Sequence, residues 1–379
     1  MFRDRYRSFL LVLLTLICCL IYFASADDYK YLNTEESVLV SDDPMYPISQ
    51  AAETVAENTD LTVTEDGGDT SAVHMVIPSG EPIGIYVKTK GVMVIDTGDV
   101  TGSDGIRYSP CKGILKRGDY ILSVDGVDVE DKNNLISIIN ESEGRALSVE
   151  VCREDKYFTE EITPVKSEDG GYMLGLWVKD DISGIGTLTY IDENGFGALG
   201  HSINDNDTGE IFNISDGAIY NANLVNIVKA DGSSPGRLEG MINYSSDNII
   251  GRVESNGEFG INGFMTKKGT ERMKNGEWIP VARRDEAHLG NAYLLSSVSG
   301  ESEYYEVEIT GIDLSSSGGN KGIELKITDS RLLSLTSGIV QGMSGTPIIQ
   351  DGKLIGAITH VFVKDSTKGY GTFVEDMLE

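Results

Sequence analysis

Gly342-Met343-Ser344-Gly345-Thr346-Pro347-Ile348-Ile349-Gln350-Asp351-Gly352-Lys353-Leu354-Ile355-Gly356-Ala357-Ile358 reads as a tight turn followed by a β-hairpin. Glycine on both sides of the serine permits a sharp backbone path and close approach of another chain. Asp351-Gly352 between two apolar runs is a two-residue hairpin turn. The segment has two readings. It is either a Gly/Ser turn that merely leads into a hairpin, or a nucleophile turn in which Ser344 attacks and the amides of Gly342 and Ser344 receive the oxyanion.

Outward from this hairpin the pattern repeats. Short apolar runs at 184–191, 224–228, 249–253, 292–295, 305–312, 322–327 and 347–363 are separated by Gly, Asn and Asp. Such spacing predicts a mainly β chain, with a barrel or paired barrels over 170–379 rather than βαβ alternation.

An acyl-transfer serine needs an imidazole and an orienting carboxylate. The chain has four histidines, His74, His201, His288 and His360. His74 borders an acidic stretch, His288 lies among charges, and His360 either faces the site or packs. His201, in Phe196-Gly197-Ala198-Leu199-Gly200-His201, ends an apolar run on a small-residue turn and is the best base. The carboxylates Asp205, Asp207, Asp231, Asp247, Asp285, Asp313 and Asp329 are not separated by spacing alone. Asp329 ends a strand shortly before the serine, but a helix-capping role fits it equally. The order His201, Asp329, Ser344 matches trypsin-like peptidases, although the acid stands unusually close to the serine. It excludes the serine-first order of α/β-hydrolases, and with it an esterase of that type.

At 379 residues the chain is long enough for two folded units. Its formal charge of −29 excludes nucleic acid as a partner, since phosphate binding needs clustered Lys and Arg. Residues 27–69 hold twelve Asp or Glu against Lys30 alone, so 27–75 reads as a solvated linker. Before it, Arg3, Arg5 and Arg7 precede an apolar run from Phe9 to Phe23. This predicts an anchor over 1–26 with everything after it exported, although Ala24-Ser25-Ala26 also suits signal cleavage. Cys111 and Cys152 are the cysteines beyond that run, and spacing does not establish a disulfide between them. No Cys/His grouping suggests a metal, and no cofactor is expected.

Residues 76–165 predict a small β unit. Strands at 84–87 and 92–95 flank a turn at Lys90-Gly91, Asp125-Gly126 marks another turn, and Asp131 caps a helix carrying Leu135, Ile138 and Ile139 on one face. With Leu115-Lys116-Arg117-Gly118-Asp119-Tyr120-Ile121-Leu122-Ser123-Val124-Asp125-Gly126, the segment resembles a PDZ domain of the bacterial protease-associated type. That resemblance places Ile83, Gly84 and Ile85 in a carboxylate-binding loop and Leu135 beside the peptide groove, for peptide C-termini or a segment of the chain itself.

Nearly the whole chain, apart from the acidic linker and the loop at about 271–285, resembles the SpoIVB peptidase family of endospore-forming bacteria. The resemblance rests on 184–189, 197–201, 327–333, 359–363 and above all Gly338-Ile339-Val340-Gln341-Gly342-Met343-Ser344-Gly345-Thr346-Pro347-Ile348-Ile349-Gln350. Thr346, Ser330 and Ser337 depart from it without touching a candidate catalytic group. It implies a membrane-anchored serine endopeptidase with His201 as base, Ser344 as nucleophile and Asp329 as third member. It further implies a location between the forespore and mother-cell membranes, and self-cleavage near the N-terminus. The implied substrate is a membrane-bound regulator of an intramembrane protease, whose cutting triggers sigma-factor precursor processing. The competing reading is a catalytically silent PDZ adaptor.

Overall fold

The computed structural model of the protein describes residues 73–205, 209–231 and 235–378. The expected anchor and all but the last three residues of the linker lie outside the described residues. Among the described residues no helix is long and apolar enough to cross a membrane.

Strands dominate, as the composition predicts. In chain order the elements used below are β1 (Met75–Pro78), β2 (Pro82–Thr97), β3 (Tyr120–Val124), α1 (Lys132–Glu141), β4 (Leu147–Arg153), β5 (Lys156–Ile162), β6 (Leu176–Ile191), β7 (Phe196–Ala198), β8 (Ile214–Val228), β9 (Arg237–Ile242), β10 (Ile249–Gly257) and β11 (Gly260–Met265). They continue with β12 (Gly290–Ser296), β13 (Glu303–Ile312), β14 (Ile323–Ile327), α2 (Ser330–Thr336), β15 (Pro347–Gln350), β16 (Lys353–Phe362) and β17 (Asp365–Phe373).

The pairings of β2 with β6, β6 with β7, β7 with β11, β11 with β10, β10 with β8, and β8 back to β2 close a first ring of six strands. A second closed barrel runs β12-β13-β14-β17-β16-β15. Closure removes the exposed edges that an open sheet would leave. Each ring encloses its own apolar core. Ile83, Val87, Leu188, Phe196, Ile219 and Ile250 fill the first, and Leu294, Tyr305, Val307, Leu325, Ile348 and Ile358 the second. The strand period is plain in β13, where Tyr305, Val307 and Ile309 are buried and Tyr304, Glu306 and Glu308 are exposed.

A third cluster lies over the distal half of β2 with β3, β4 and α1, built from Val92, Val94, Ile121, Leu135, Val149 and Val151. Asp131 caps α1 as expected, accepting from the Asn134 amide at 2.8 Å. Asp125 and Gly126 both take positive φ, 52° and 77°, between β3 and the short strand that follows. Asp119 is fully buried and bound by Arg153 through Nε and a terminal nitrogen, both at 2.6 Å, while the Lys116 amide also donates to it at 2.8 Å.

The expected turn at Lys90-Gly91 is absent, because β2 runs unbroken from Pro82 to Thr97. Gly91 is required for another reason. A Cβ there would stand 2.2 Å from the Ile121 carbonyl oxygen, so its φ of +74° reflects a close backbone crossing onto β3. Consequently residues 76–89, which the sequence grouped with the rest of 76–165, pair with strands of the first barrel instead.

Cys111 and Cys152 are both buried and free. Burial pushes the Cys111 thiol up to about 12.

Candidate active site

The serine turn lies at the seam between the barrels. Gly342 and Gly345 take φ of 98° and 94°, conformations that a side chain would strain. At Gly345 there is also no room, since a Cβ would approach the Thr187 carbonyl oxygen to 2.2 Å and the Leu199 nitrogen to 2.5 Å. Both contacts are backbone of the first barrel.

Hydrogen bonds fix the turn from several sides. The Thr187 amide donates to the Ser344 carbonyl at 3.0 Å, and its hydroxyl donates to the Gly342 carbonyl at 2.7 Å. Thr189 donates to the Gly345 carbonyl at 2.8 Å. Within the second barrel, Gly345 N–H donates to Ile358 O at 2.7 Å and Thr346 N–H to Met343 O at 3.0 Å. The amides of Gly342 and Ser344 donate to no acceptor among the described residues. The Ser344 hydroxyl itself donates to the Thr359 carbonyl at 3.0 Å.

His201 follows β7 through Leu199 and Gly200, both at positive φ. This reversal carries the imidazole off the first barrel toward the second, where a Cβ on Gly200 would meet the Thr359 methyl at 3.0 Å. His201 Nδ1 lies 2.8 Å from the Ser202 carbonyl oxygen. A carbonyl only accepts, so Nδ1 carries the proton and Nε2 keeps a lone pair. Burial lowers the His201 pKa, with the Ser202 bond partly opposing.

His360 was left open by the sequence, and it packs on His201 with ring centroids 5.4 Å apart. Its Nδ1 is buried without a hydrogen-bond partner among the described residues. Burial, then the nearby charges of His201 and Lys321, push its pKa down to about 4. Burial favours the neutral form of both imidazoles.

Asp329 does not join them. Its carboxylate caps α2 by accepting from the Arg331 amide at 2.8 Å, pairs with the Arg331 guanidinium at 2.8 Å, and accepts from the Glu306 amide at 3.3 Å. These bonds, the Arg331 side chain foremost, hold it at about 2. Asp329 therefore caps α2, one of the two readings its sequence position allowed, and among the described residues the hydrogen bond at His201 Nδ1 is to the Ser202 carbonyl.

The expected PDZ contacts are corrected. Ile83, Gly84 and Ile85 lie inside β2 with both edges occupied, paired to 184–186 of β6 on one side and 219–221 of β8 on the other. A strand bonded on both edges offers no carboxylate-binding loop. Leu135 is 3% exposed and part of the third apolar core, so it lines no groove. The other histidines are remote from the turn in their bonding. Exposed His74 pairs with Asp192 at 2.9 Å, and exposed His288 pairs with Asp351 at 2.8 Å.

A polar cavity of about 860 Å³ surrounds Arg272, Glu81 and Asn221. Neither Ser344 nor His201 borders it. A smaller one, about 400 Å³, is bounded by Gly342 and is the cavity that concerns the serine turn.

Two β-barrels meeting at a glycine-flanked serine and a half-buried histidine define a mainly β barrel protein with its cleft between the barrels. The chain belongs to the SpoIVB peptidase S55 family, whose model matches residues 170–378. Over 62 residues it is 42% identical to "Putative zinc metalloprotease LL2128" of Lactococcus lactis, a match covering 16% of this chain and 14% of that protein. Two solved structures show slight likeness. One is the PDZ domain of the SdrC-like protein Lmo2051 from Listeria monocytogenes, at 21% identity and TM-score 0.20, over 24% of this chain and 90% of that one. The other is Rv3671c from M. tuberculosis, an inactive Ser343Ala mutant, at 11% identity and TM-score 0.22, over 51% and 80%.

Proposed function

We propose that the protein is a serine endopeptidase with Ser344 as nucleophile, His201 as general base, and the Gly342 and Ser344 amides as oxyanion donors. The observation that carries this reading is the pairing of a rigid turn with spare amides and a histidine held in the tautomer whose Nε2 accepts a proton.

In the reaction, Ser344 Oγ bonds to the scissile carbonyl carbon while its proton passes to His201 Nε2, and the carbonyl oxygen takes the negative charge. Collapse breaks the C–N bond, and the proton on His201 leaves with the amine. Water then repeats the sequence on the acyl-serine, releasing the acid and regenerating the hydroxyl. For attack the Ser344 hydroxyl must turn from Thr359 O toward His201, a tightening that resting sites commonly require.

Family membership supports the finer reading of a sporulation signalling protease. In that reading the enzyme is anchored by residues 1–26 and faces the space between the forespore and mother-cell membranes. It cuts a membrane-bound regulator of an intramembrane protease, and itself near the N-terminus. The unit over 92–162 is proposed as PDZ-like. Because the chain's own β6 lies along β2, self-restraint suits this unit better than capture of a free peptide.

One observation favours the silent adaptor as a second reading, namely the Ser344 hydroxyl bonded away from His201. A single experiment separates the two. A serine-directed phosphonate is expected to label Ser344, and Ser344→Ala to lower proteolysis roughly 10⁴-fold or more with the fold intact. Absence of label with undiminished proteolysis in the variant would remove Ser344 from the mechanism.

A further inference from the structure

The cleft beside the serine turn contains an unpaired strand edge. β9 is bonded to β8 along one side, from Arg237 opposite Val228 to Ile242 opposite Ala222. On its other side the strand pairing among the described residues is one bridge, where Leu238 N–H donates to Gln341 O and Gln341 N–H donates to Gly236 O, both at 2.8 Å. That bridge fixes the start of β9 to the residue next to Gly342. Beyond it, from Glu239 to Ile242, the edge leads away from the turn with its peptide groups open. Such an edge accepts an extended peptide as an added strand.

The cavity of about 400 Å³ lies at this junction. Its apolar wall is Ile185 of β6 and Leu238 of β9, and Gly342 closes it toward the nucleophile. Two glycines keep it open. A Cβ on Gly240 would stand 3.0 Å from Ile185 Cδ1 and 2.9 Å from the Asn223 carbonyl, and one on Gly342 would meet Leu238 at 3.1 Å. The charged residues at the rim are already satisfied. Arg237 pairs with Glu239 at 2.6 Å, and Asn226 donates to Glu239 at 2.9 Å. A charged guest would have to displace that pair or be buried against Ile185 and Leu238, and either is costly.

We propose that this cavity is the primary specificity subsite. It takes an uncharged aliphatic side chain on the acyl side of the scissile bond, from a peptide laid extended along the free edge of β9. Ile185 is the residue that sets its size. The proposal rests on Ser344 being the nucleophile, and its test reads the two separately.

The probes are peptidyl phosphonates carrying Ala, Leu, Phe, Lys or Glu side-chain analogues next to phosphorus, applied to the full chain, with Ser344 labelling rates followed by mass spectrometry. The Leu analogue is expected to label at least about ten-fold faster than Lys or Glu, in line with the cost of a misfit in an apolar pocket. Ile185→Phe should slow the Leu analogue about ten-fold while leaving the Ala analogue near its original rate, which also reports an intact site. Ile185→Ala should shift preference toward Phe and decides the matter if Ile185→Phe does not fold. Equal rates across the series, preference for Lys or Glu, or unchanged profiles in both variants overturn the subsite while Ser344 stands. No labelling by any analogue overturns the nucleophile and the subsite with it.

Discussion

Thr187 of the first barrel holds Ser344 of the second through an N–H···O=C bond of 3.0 Å, and its hydroxyl reaches the Gly342 carbonyl two residues earlier at 2.7 Å. One residue, through its amide and its hydroxyl, thus holds the peptide groups flanking the proposed oxyanion donors.

Thr187→Val keeps the β-branched shape and removes the hydroxyl. The lost bond is worth about 1 kcal/mol in stability. Because it orients the Gly342 peptide, kcat should fall roughly ten-fold, equivalent to about 1.4 kcal/mol in the barrier. Thr187→Ser should restore most of it. Steady-state kinetics with thermal melts on the three proteins test this, and a Val variant with full kcat removes the orienting role.

Asp329→Asn preserves a helix cap but ends the ion pair with Arg331, whereas Asp329→Ala loses both. Stability should fall in the order wild type, Asn, Ala, the cap itself accounting for about 1 kcal/mol. Since the carboxylate is committed to Arg331 and Glu306, turnover per folded molecule of the Asn variant should stay within a few-fold of wild type. A loss of several orders of magnitude in kcat would return Asp329 to the site.

Acid should act in two windows. His360 is depressed to about 4, so the unfolded chain binds its proton first as pH falls below about 6.5. Stability from this group is complete above that value and is lost on the way down to about 4. Asp329, held at about 2, contributes fully above about 3.8 and loses its share below that. Melting temperatures measured from pH 7 to 3 should therefore fall in the upper window, and His360→Phe should flatten that fall without touching the lower one.

Asp119 is fully buried against Arg153. Asp119→Ala leaves a guanidinium without its partner and orphans the Lys116 amide, a loss of about 3–5 kcal/mol. Chemical denaturation of the variant is the check, and a change under 1 kcal/mol would mean that the pair is replaceable.

Much of this architecture is legible in short-range pattern. Asp351-Gly352 and Asp125-Gly126 announce hairpin turns, Asp131 announces a helix, and alternation in 305–312 announces a strand, because each depends on neighbours in sequence. Ser344 and His201 stand out for the same reason, each in a small-residue turn that local chemistry explains. What local pattern misreads is Gly91, whose glycine answers the Ile121 carbonyl on another strand, and Ile83-Gly84-Ile85, whose partners lie on β6 and β8. Asp329 is the instructive case. Capping and catalytic acids look alike in sequence, and the bonds Asp329 makes to Arg331 and Glu306 become visible only in the fold. Thr187 and Thr189 lie in the apolar run 184–191, but their role exists only once the barrels meet.

The long strands β2 and β6 each serve the first barrel with one half and the small unit with the other. The 170–378 region recognised as family is therefore not a separable body: taken alone it would leave β6 and β8 without the strand between them. Synthesis meets the same constraint. As the chain emerges, β2 waits with an open edge until β6 and then β8 arrive, pairings of high sequence separation that form late and slowly. The small unit, whose β3 to β5 follow directly, can already be anchored on the far end of β2 and so keep that strand extended while its partners are still being made.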